Sequence, residues 1–305
     1  MAGPASTGPA STGPASTGPA STGPRHGTPV LFLHGFWHGS WCWTEVLAHL
    51  TGAGVLTLAV DMAGHGLRAR RPAAATRRPF EADLLATEVS PLAGVDLDQA
   101  GDLLVTQLKR FGGGGPVTVV AHSMGGTVLT RAGQQAPGLI AHAIYLTAYM
   151  PASGVPPTGY VRTPENEGNL IAALRVGDPR EVGALRLDAA SPDPVYRAGV
   201  RQAFYGDVDP ATADAAIALL APDAPAGISS GATTLTADGW GSIPRTYVVC
   251  TRDMAIRPAL QRKFISDADA AFPGNPTTVR ELDASHSPFL SMPAQVANIV
   301  LDVIS

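Results

Sequence analysis

A serine set among small residues, Ala121-His122-Ser123-Met124-Gly125-Gly126, follows the apolar run Val117-Thr118-Val119-Val120 and precedes the helical pattern Thr127-Val128-Leu129-Thr130-Arg131-Ala132. At a strand-to-helix turn of this kind a strained backbone lifts the central side chain clear of the sheet, which makes Ser123 the candidate nucleophile. Ala121 and Gly125 let strand and helix approach closely, and the helix offers backbone N–H groups to an oxyanion. A serine hydroxyl is a poor nucleophile near neutral pH, so it needs a base within reach and an acid to orient that base. Both residue types occur late in the chain. His286 lies in Ala284-Ser285-His286-Ser287-Pro288-Phe289, after the strand-like run 278–282, and Asp253 ends Cys250-Thr251-Arg252-Asp253, just past the apolar run 246–250. Other acids are less well placed. Asp283 suits the end of a strand, Asp238 precedes the strand 246–250, and the loop Ala148-Tyr149-Met150-Pro151 carries no carboxylate.

Acyl transfer also requires two donors for the developing oxyanion, each contributing about 3 kcal/mol of transition-state stabilisation. The N–H of Met124, next to the nucleophile, is the first expected donor. The second belongs to the loop after the first strand, His34-Gly35-Phe36-Trp37-His38-Gly39-Ser40-Trp41-Cys42-Trp43, where Gly35 lets the backbone turn and Phe36 is the expected donor. Gly35, Trp37, Tyr149, Met150 and Phe289 are the expected substrate contacts, forming an apolar pocket for small or medium ester substrates. Trp41 and Trp43 are expected to anchor the next helix in the core.

Competing chemistries lack their partners. His34 and His38 have helical i, i+4 spacing, but the glycines around them favour a loop and no H-E-x-x-H frame is present, so no metal is expected. His65 is assigned to the turn after the second strand. Gly112–Gly115 is followed by neither Lys-Ser nor Lys-Thr and precedes a strand, so no phosphate loop and no cofactor are implied. Arg68, Arg70, Arg71, Arg77 and Arg78 crowd one loop, as expected of solvated surface in a chain whose only lysines are Lys109 and Lys263.

Short β-branched runs alternate with amphipathic ones from residue 28, which predicts a mostly parallel, doubly wound α/β sheet. Strands are expected at 30–33, 55–60, 117–121, 143–147, 246–250 and 278–282, and helices at 43–50, 97–111, 125–135, 258–271 and 293–304. From about 151 to 241 the strand pattern lapses into Pro-, Gly- and Ala-rich sequence with short helical pieces such as 211–220. A helical cap inserted between core strands, over the strand ends where ligands bind, accounts for it. Residues 3–22 repeat Gly-Pro-Ala-Ser-Thr four times and carry no large apolar side chain, so residues 1–24 are expected to be a disordered tail and 25–305 the folded domain. A net charge of -4 gives no basic field for nucleic acid, and no apolar window spans a membrane. With two cysteines, Cys42 and Cys250, in apolar segments and no charged leader before an apolar core, buried free thiols and a cytoplasmic location are expected.

With the elbow, the first-strand loop and the two late loops in place, residues 28–305 resemble the α/β-hydrolase family. The loop 34–43 and Ser285-His286-Ser287-Pro288-Phe289 are similar to the branch containing plant methyl esterases, hydroxynitrile lyases and bacterial pyrethroid-type esterases. That resemblance implies Ser123 as nucleophile, His286 as base, Asp253 as its orienter, and Phe36 and Met124 as oxyanion donors. It departs at Ala121, where the usual elbow has glycine. The reaction expected is ester hydrolysis through an acyl-enzyme. Thioester cleavage, lactone opening or cyclisation of a natural product uses the same intermediate, and a receptor that retains its ligand is a further alternative. Lyases of the branch carry threonine at the position of Gly35 and lysine at that of Ser287, so lyase chemistry is disfavoured.

Overall fold

The computed structural model describes residues 1–3 and 27–305. The repeat tract at 4–24, expected to be a disordered tail, lies outside the described residues. Among the described residues eight strands follow in chain order: β1 (Val30–Leu33), β2 (Thr57–Val60), β3 (Val117–Ser123), β4 (Ile140–Ala148), β5 (Ala184–Arg186), β6 (Asp223–Pro225), β7 (Arg245–Cys250) and β8 (Thr278–Leu282). Six of them form one sheet in the order β2-β1-β3-β4-β7-β8, parallel throughout.

Side chains alternate between two apolar layers, as strand geometry requires. Val30 and Phe32 join Trp43, Val46, Leu50, Val296 and Val300 on one face, where the helices Thr44–Gly52 and Pro293–Ile304 pack. Leu31 and Leu33 face the opposite way, into a cluster with Leu97, Leu104, Leu108, Val128 and Phe264 from the helices Leu97–Gly112, Gly125–Gln135 and Pro258–Ala271. Burial on both faces explains why β1 and β3 consist of near-continuous apolar residues. Cys42 and Cys250 are buried free thiols.

Element ends differ from expectation for local reasons. β2 starts at Thr57 because the Val55 N–H is taken up by the Leu50 carbonyl (3.0 Å), closing the preceding helix. β4 begins early, at Ile140, because that residue pairs with Val117. The helix expected from Trp43 starts at Thr44, after a 3-10 turn over Ser40–Trp43.

Between β4 and β7 the chain leaves the sheet. Its two longest helices there, Pro194–Phe204 and Pro210–Ala218, open on Asp193 and Asp209, whose carboxylates accept first-turn N–H bonds, with proline following. This stretch also contains the antiparallel pair β5–β6, which has no counterpart in the expected elements because three-residue strands leave no period to detect. Across that pair, Arg186 donates from Nε and Nη2 to the Asp223 carboxylate at 2.6 and 2.8 Å, with both side chains fully buried. Among the described residues no helix is long and apolar enough to cross a membrane.

Candidate active site

Three non-glycine residues with positive φ occur among the described residues, and all three belong to one site: Ser123 (53°), Trp37 (62°) and Thr147 (37°). Side chains disfavour this region, so the surrounding bonds must hold it. Ser123 ends β3 and is followed at once by the helix Gly125–Gln135. The crossing needs its glycines. A Cβ on Gly125 would lie 2.5 Å from the His34 carbonyl oxygen, and one on Gly126 2.2 Å from that of Tyr149. Ala121, the departure from the usual elbow, is accommodated as a fully buried residue of the core.

The three residues selected for acyl chemistry converge from three strand ends. His286 Nε2 lies 3.1 Å from Ser123 Oγ, and its Nδ1 lies 2.7 Å from Asp253 Oδ2. Because Nδ1 faces a carboxylate it carries the proton, leaving the Nε2 lone pair for the serine hydroxyl. Asp253 is enclosed by donors. Its Oδ1 accepts from the N–H groups of Ala255 (2.6 Å) and Ile256 (2.9 Å), and the Thr147 hydroxyl donates to Oδ2. These bonds fix the carboxylate plane. Asp283 is instead exposed, bound to Thr251 and Arg252, and Asp238 is exposed on the stretch before β7.

Phe36 and Met124 line the same cavity as Ser123 and His286, and among the described residues neither N–H donates to a protein group. The loop that carries Phe36 hangs on histidines. His38 Nδ1–H donates to the Phe36 carbonyl (2.9 Å), and His38 Nε2 accepts from the Tyr205 hydroxyl (2.9 Å). His65 Nε2 accepts from the Trp37 N–H (3.1 Å) while its Nδ1–H donates to the Ala63 carbonyl. His34 Nε2 accepts from the Met62 N–H, and its Nδ1–H donates to the Gly35 carbonyl. Each ring uses one lone pair and one N–H, so each must be neutral to make both bonds. Burial pushes all three down, His38 to about 3 and His65 to about 4, with neighbouring histidines adding to the effect at His34 and His38. Their roles are in hydrogen bonding to this loop.

His122, beside the serine, donates from Nε2 to the His286 carbonyl (2.8 Å), and its ring lies 4.5 Å from that of His286. Burial holds it well below the usual imidazole range. Asp207, from the stretch between β4 and β7, accepts from the Ser285 N–H (3.0 Å) and from the Ser285 hydroxyl, and lies 3.5 Å from Arg252. One carboxylate thus ties together the loops that carry His286 and Asp253. Sequence reasoning placed His122 near the site without a role and missed Thr147 and Asp207. The partners of Thr147, His122 and Asp207 are 106, 164 and 78 residues away, beyond any local signal.

The cavity has a volume of about 510 Å³. Of the five residues expected to contact substrate, Trp37 and Tyr149 stand in its wall, and Gly35, Met150 and Phe289 do not. Phe289 is fully buried, packed on His122 (4.9 Å) and Trp43 (5.2 Å), and Met150 is buried in the core. Gly35 lies behind the serine. A Cβ there would fall 2.5 Å from Ser123 Cβ and 3.1 Å from its Oγ, so the absence of a side chain at this position leaves room for Ser123. Phe204, Ile171 and Ile256 supply apolar wall in their place.

A parallel six-stranded sheet with a serine elbow, and with His and Asp on later strand ends, defines an α/β hydrolase architecture. The chain belongs to the alpha/beta hydrolase family, which matches residues 30–299. It is 28% identical to Methylesterase 9 of Arabidopsis thaliana over 284 residues, 90% of this chain and 96% of the relative. Esterase PIR7B of Oryza sativa subsp. japonica is 27% identical over 284 residues, 90% and 94% of the two chains. Among solved structures, a pyrethroid hydrolase from Sphingobium faniae JZ-2 superposes with a TM-score of 0.69 at 25% identity, covering 91% of this chain and 97% of that one.

Proposed function

We propose that this protein is a carboxylic ester hydrolase working through an acyl-enzyme on Ser123. The observation that carries this reading is the unbroken chain Ser123 Oγ, His286 Nε2, His286 Nδ1, Asp253 Oδ2, with links of 3.1 and 2.7 Å, opening into the cavity wall. In the first half-reaction Ser123 Oγ attacks the ester carbonyl as His286 Nε2 takes its proton. The N–H groups of Phe36 and Met124 receive the oxyanion. His286 then protonates the leaving alcohol, and water enters by the same route in reverse to release the acid. Asp253 keeps the proton on Nδ1 and stabilises the imidazolium formed in each step.

Phe36, Trp37, Met124 and Phe204 line the same cavity as the serine and favour an apolar group on the substrate. The names of the relatives, methylesterase and esterase, support the same reaction. The test is turnover of short aryl esters together with labelling by a fluorophosphonate. Ser123→Ala is expected to abolish both while retaining the fold, and undiminished turnover in that variant refutes the mechanism. Running thioesters and lactones beside the esters ranks the leaving groups that the acyl-enzyme accepts.

A further inference from the structure

Two arginines, Arg175 and Arg180, stand in the wall of the cavity that holds Ser123, and among the described residues no aspartate or glutamate does. In a chain of net charge -4 this is a local reversal of sign. The two cations differ in what they meet. Arg180 is satisfied, its Nη2 lying 2.7 Å from Asp178 Oδ2, and it is 90% exposed. Arg175 is half-buried and, among the described residues, has no carboxylate within 4.0 Å. Its backbone is held on both sides. The Leu174 carbonyl accepts from the Tyr196 hydroxyl at 2.7 Å, and the Val176 N–H donates to the Arg186 carbonyl at 2.9 Å. Arg186 is itself locked to Asp223, so the segment presenting Arg175 is anchored to the β5–β6 pair.

We propose that the ester this cavity takes carries a carboxylate, and that Arg175 binds it; the site deepens the hydrolase reading and rests on it for the identity of the reacting end. A guanidinium fork matches a carboxylate with two parallel hydrogen bonds, and in a partly desolvated, mostly apolar wall that pairing is stronger than in water. A single unpaired guanidinium neutralises one negative charge, so a monoanion fits better than a phosphate dianion. The substrate class is therefore the monoester of a dicarboxylic acid, with its ester at Ser123, an apolar link against the aromatic wall, and its free acid on Arg175.

The test compares monomethyl esters of dicarboxylic acids of increasing length with methyl esters of monocarboxylic acids of the same length, at pH 7.5 and low salt. In the wild type, the ratio of kcat/KM for anionic over neutral ester exceeds one at the best length. It falls by about tenfold in Arg175→Gln, through KM, as expected for loss of a charge-assisted pair, and Arg175→Lys recovers part of it. A ratio below one at every length, an unchanged ratio in Arg175→Gln, or a fall in Arg180→Gln in its place overturns the assignment. Calorimetric binding of the same monomethyl esters to Ser123→Ala, with and without Arg175→Gln, reads the site without turnover. Arg175-dependent binding with no wild-type hydrolysis sinks the hydrolase reading alone, whereas hydrolysis with no charge preference and no Arg175-dependent binding sinks this one alone.

Discussion

Acidification is expected to destabilise the protein through the buried histidines that hold the loop bearing Phe36. His38 and His65 are neutral and fully buried, with values pushed to about 3 and about 4 from the ordinary 6.5. Between those limits the unfolded chain takes up a proton that the native state refuses, so stability is complete above pH 6.5 and is lost as the pH falls below it. For one such group at pH 5 the unfolded state is favoured about thirtyfold by protonation, about 2 kcal/mol, and the slope approaches about 1.4 kcal/mol per pH unit. The two together give about 4 kcal/mol, a large part of the roughly 5–15 kcal/mol that holds a domain folded. Burial acts in the same direction on His34 and His122, which steepens the loss. Protonating His65 also removes the lone pair that accepts the Trp37 N–H, so the loop bearing Phe36 loses its anchor. Urea unfolding followed from pH 8 to pH 5 should show this decline, and His65→Gln should flatten the slope by about one proton's worth. A free energy of unfolding that stays level between pH 7 and pH 5 refutes the reasoning.

Three substitutions probe other parts of the site. Asp207→Asn leaves one acceptor for the two Ser285 donors and is expected to lower kcat about tenfold with little change in KM, measured by steady-state ester turnover. Arg186→Met strands the buried Asp223 carboxylate and should cost about 3–5 kcal/mol in urea unfolding, most of it recovered in Arg186→Met/Asp223→Leu. Gly35→Ala forces a methyl to within 2.5 Å of Ser123 Cβ and should slow acylation about a hundredfold in a burst assay, with the circular dichroism spectrum retained.

The sheet could be inferred because its information is local: Val30–Leu33 and Val117–Val120 are apolar on both faces, and glycines mark the tight crossing beyond Ser123. The positions of His286 and Asp253 could be inferred for a related reason, since a parallel sheet delivers its loops to one end and a residue just past a strand must lie there. What lies behind the site could not. Phe289 and Met150 are close to the site in sequence, but sequence proximity does not say which way a side chain points, and both turn into the core while Trp37 and Tyr149 turn to the cavity. Arg175 illustrates the converse. It sits beside the β5–β6 pair, which is joined by an ion pair between residues 37 apart, and that long-range pairing helps anchor its segment at the wall of a cavity expected to be apolar. The elbow and the two late loops were therefore legible from motif and topology, whereas the cavity wall supplied by the excursion between β4 and β7 follows from tertiary packing. The charge preference assigned to Arg175 should travel with the segment from Arg175 through β6 rather than with the elbow, because the cation and its anchor lie in that excursion while the elbow belongs to the sheet.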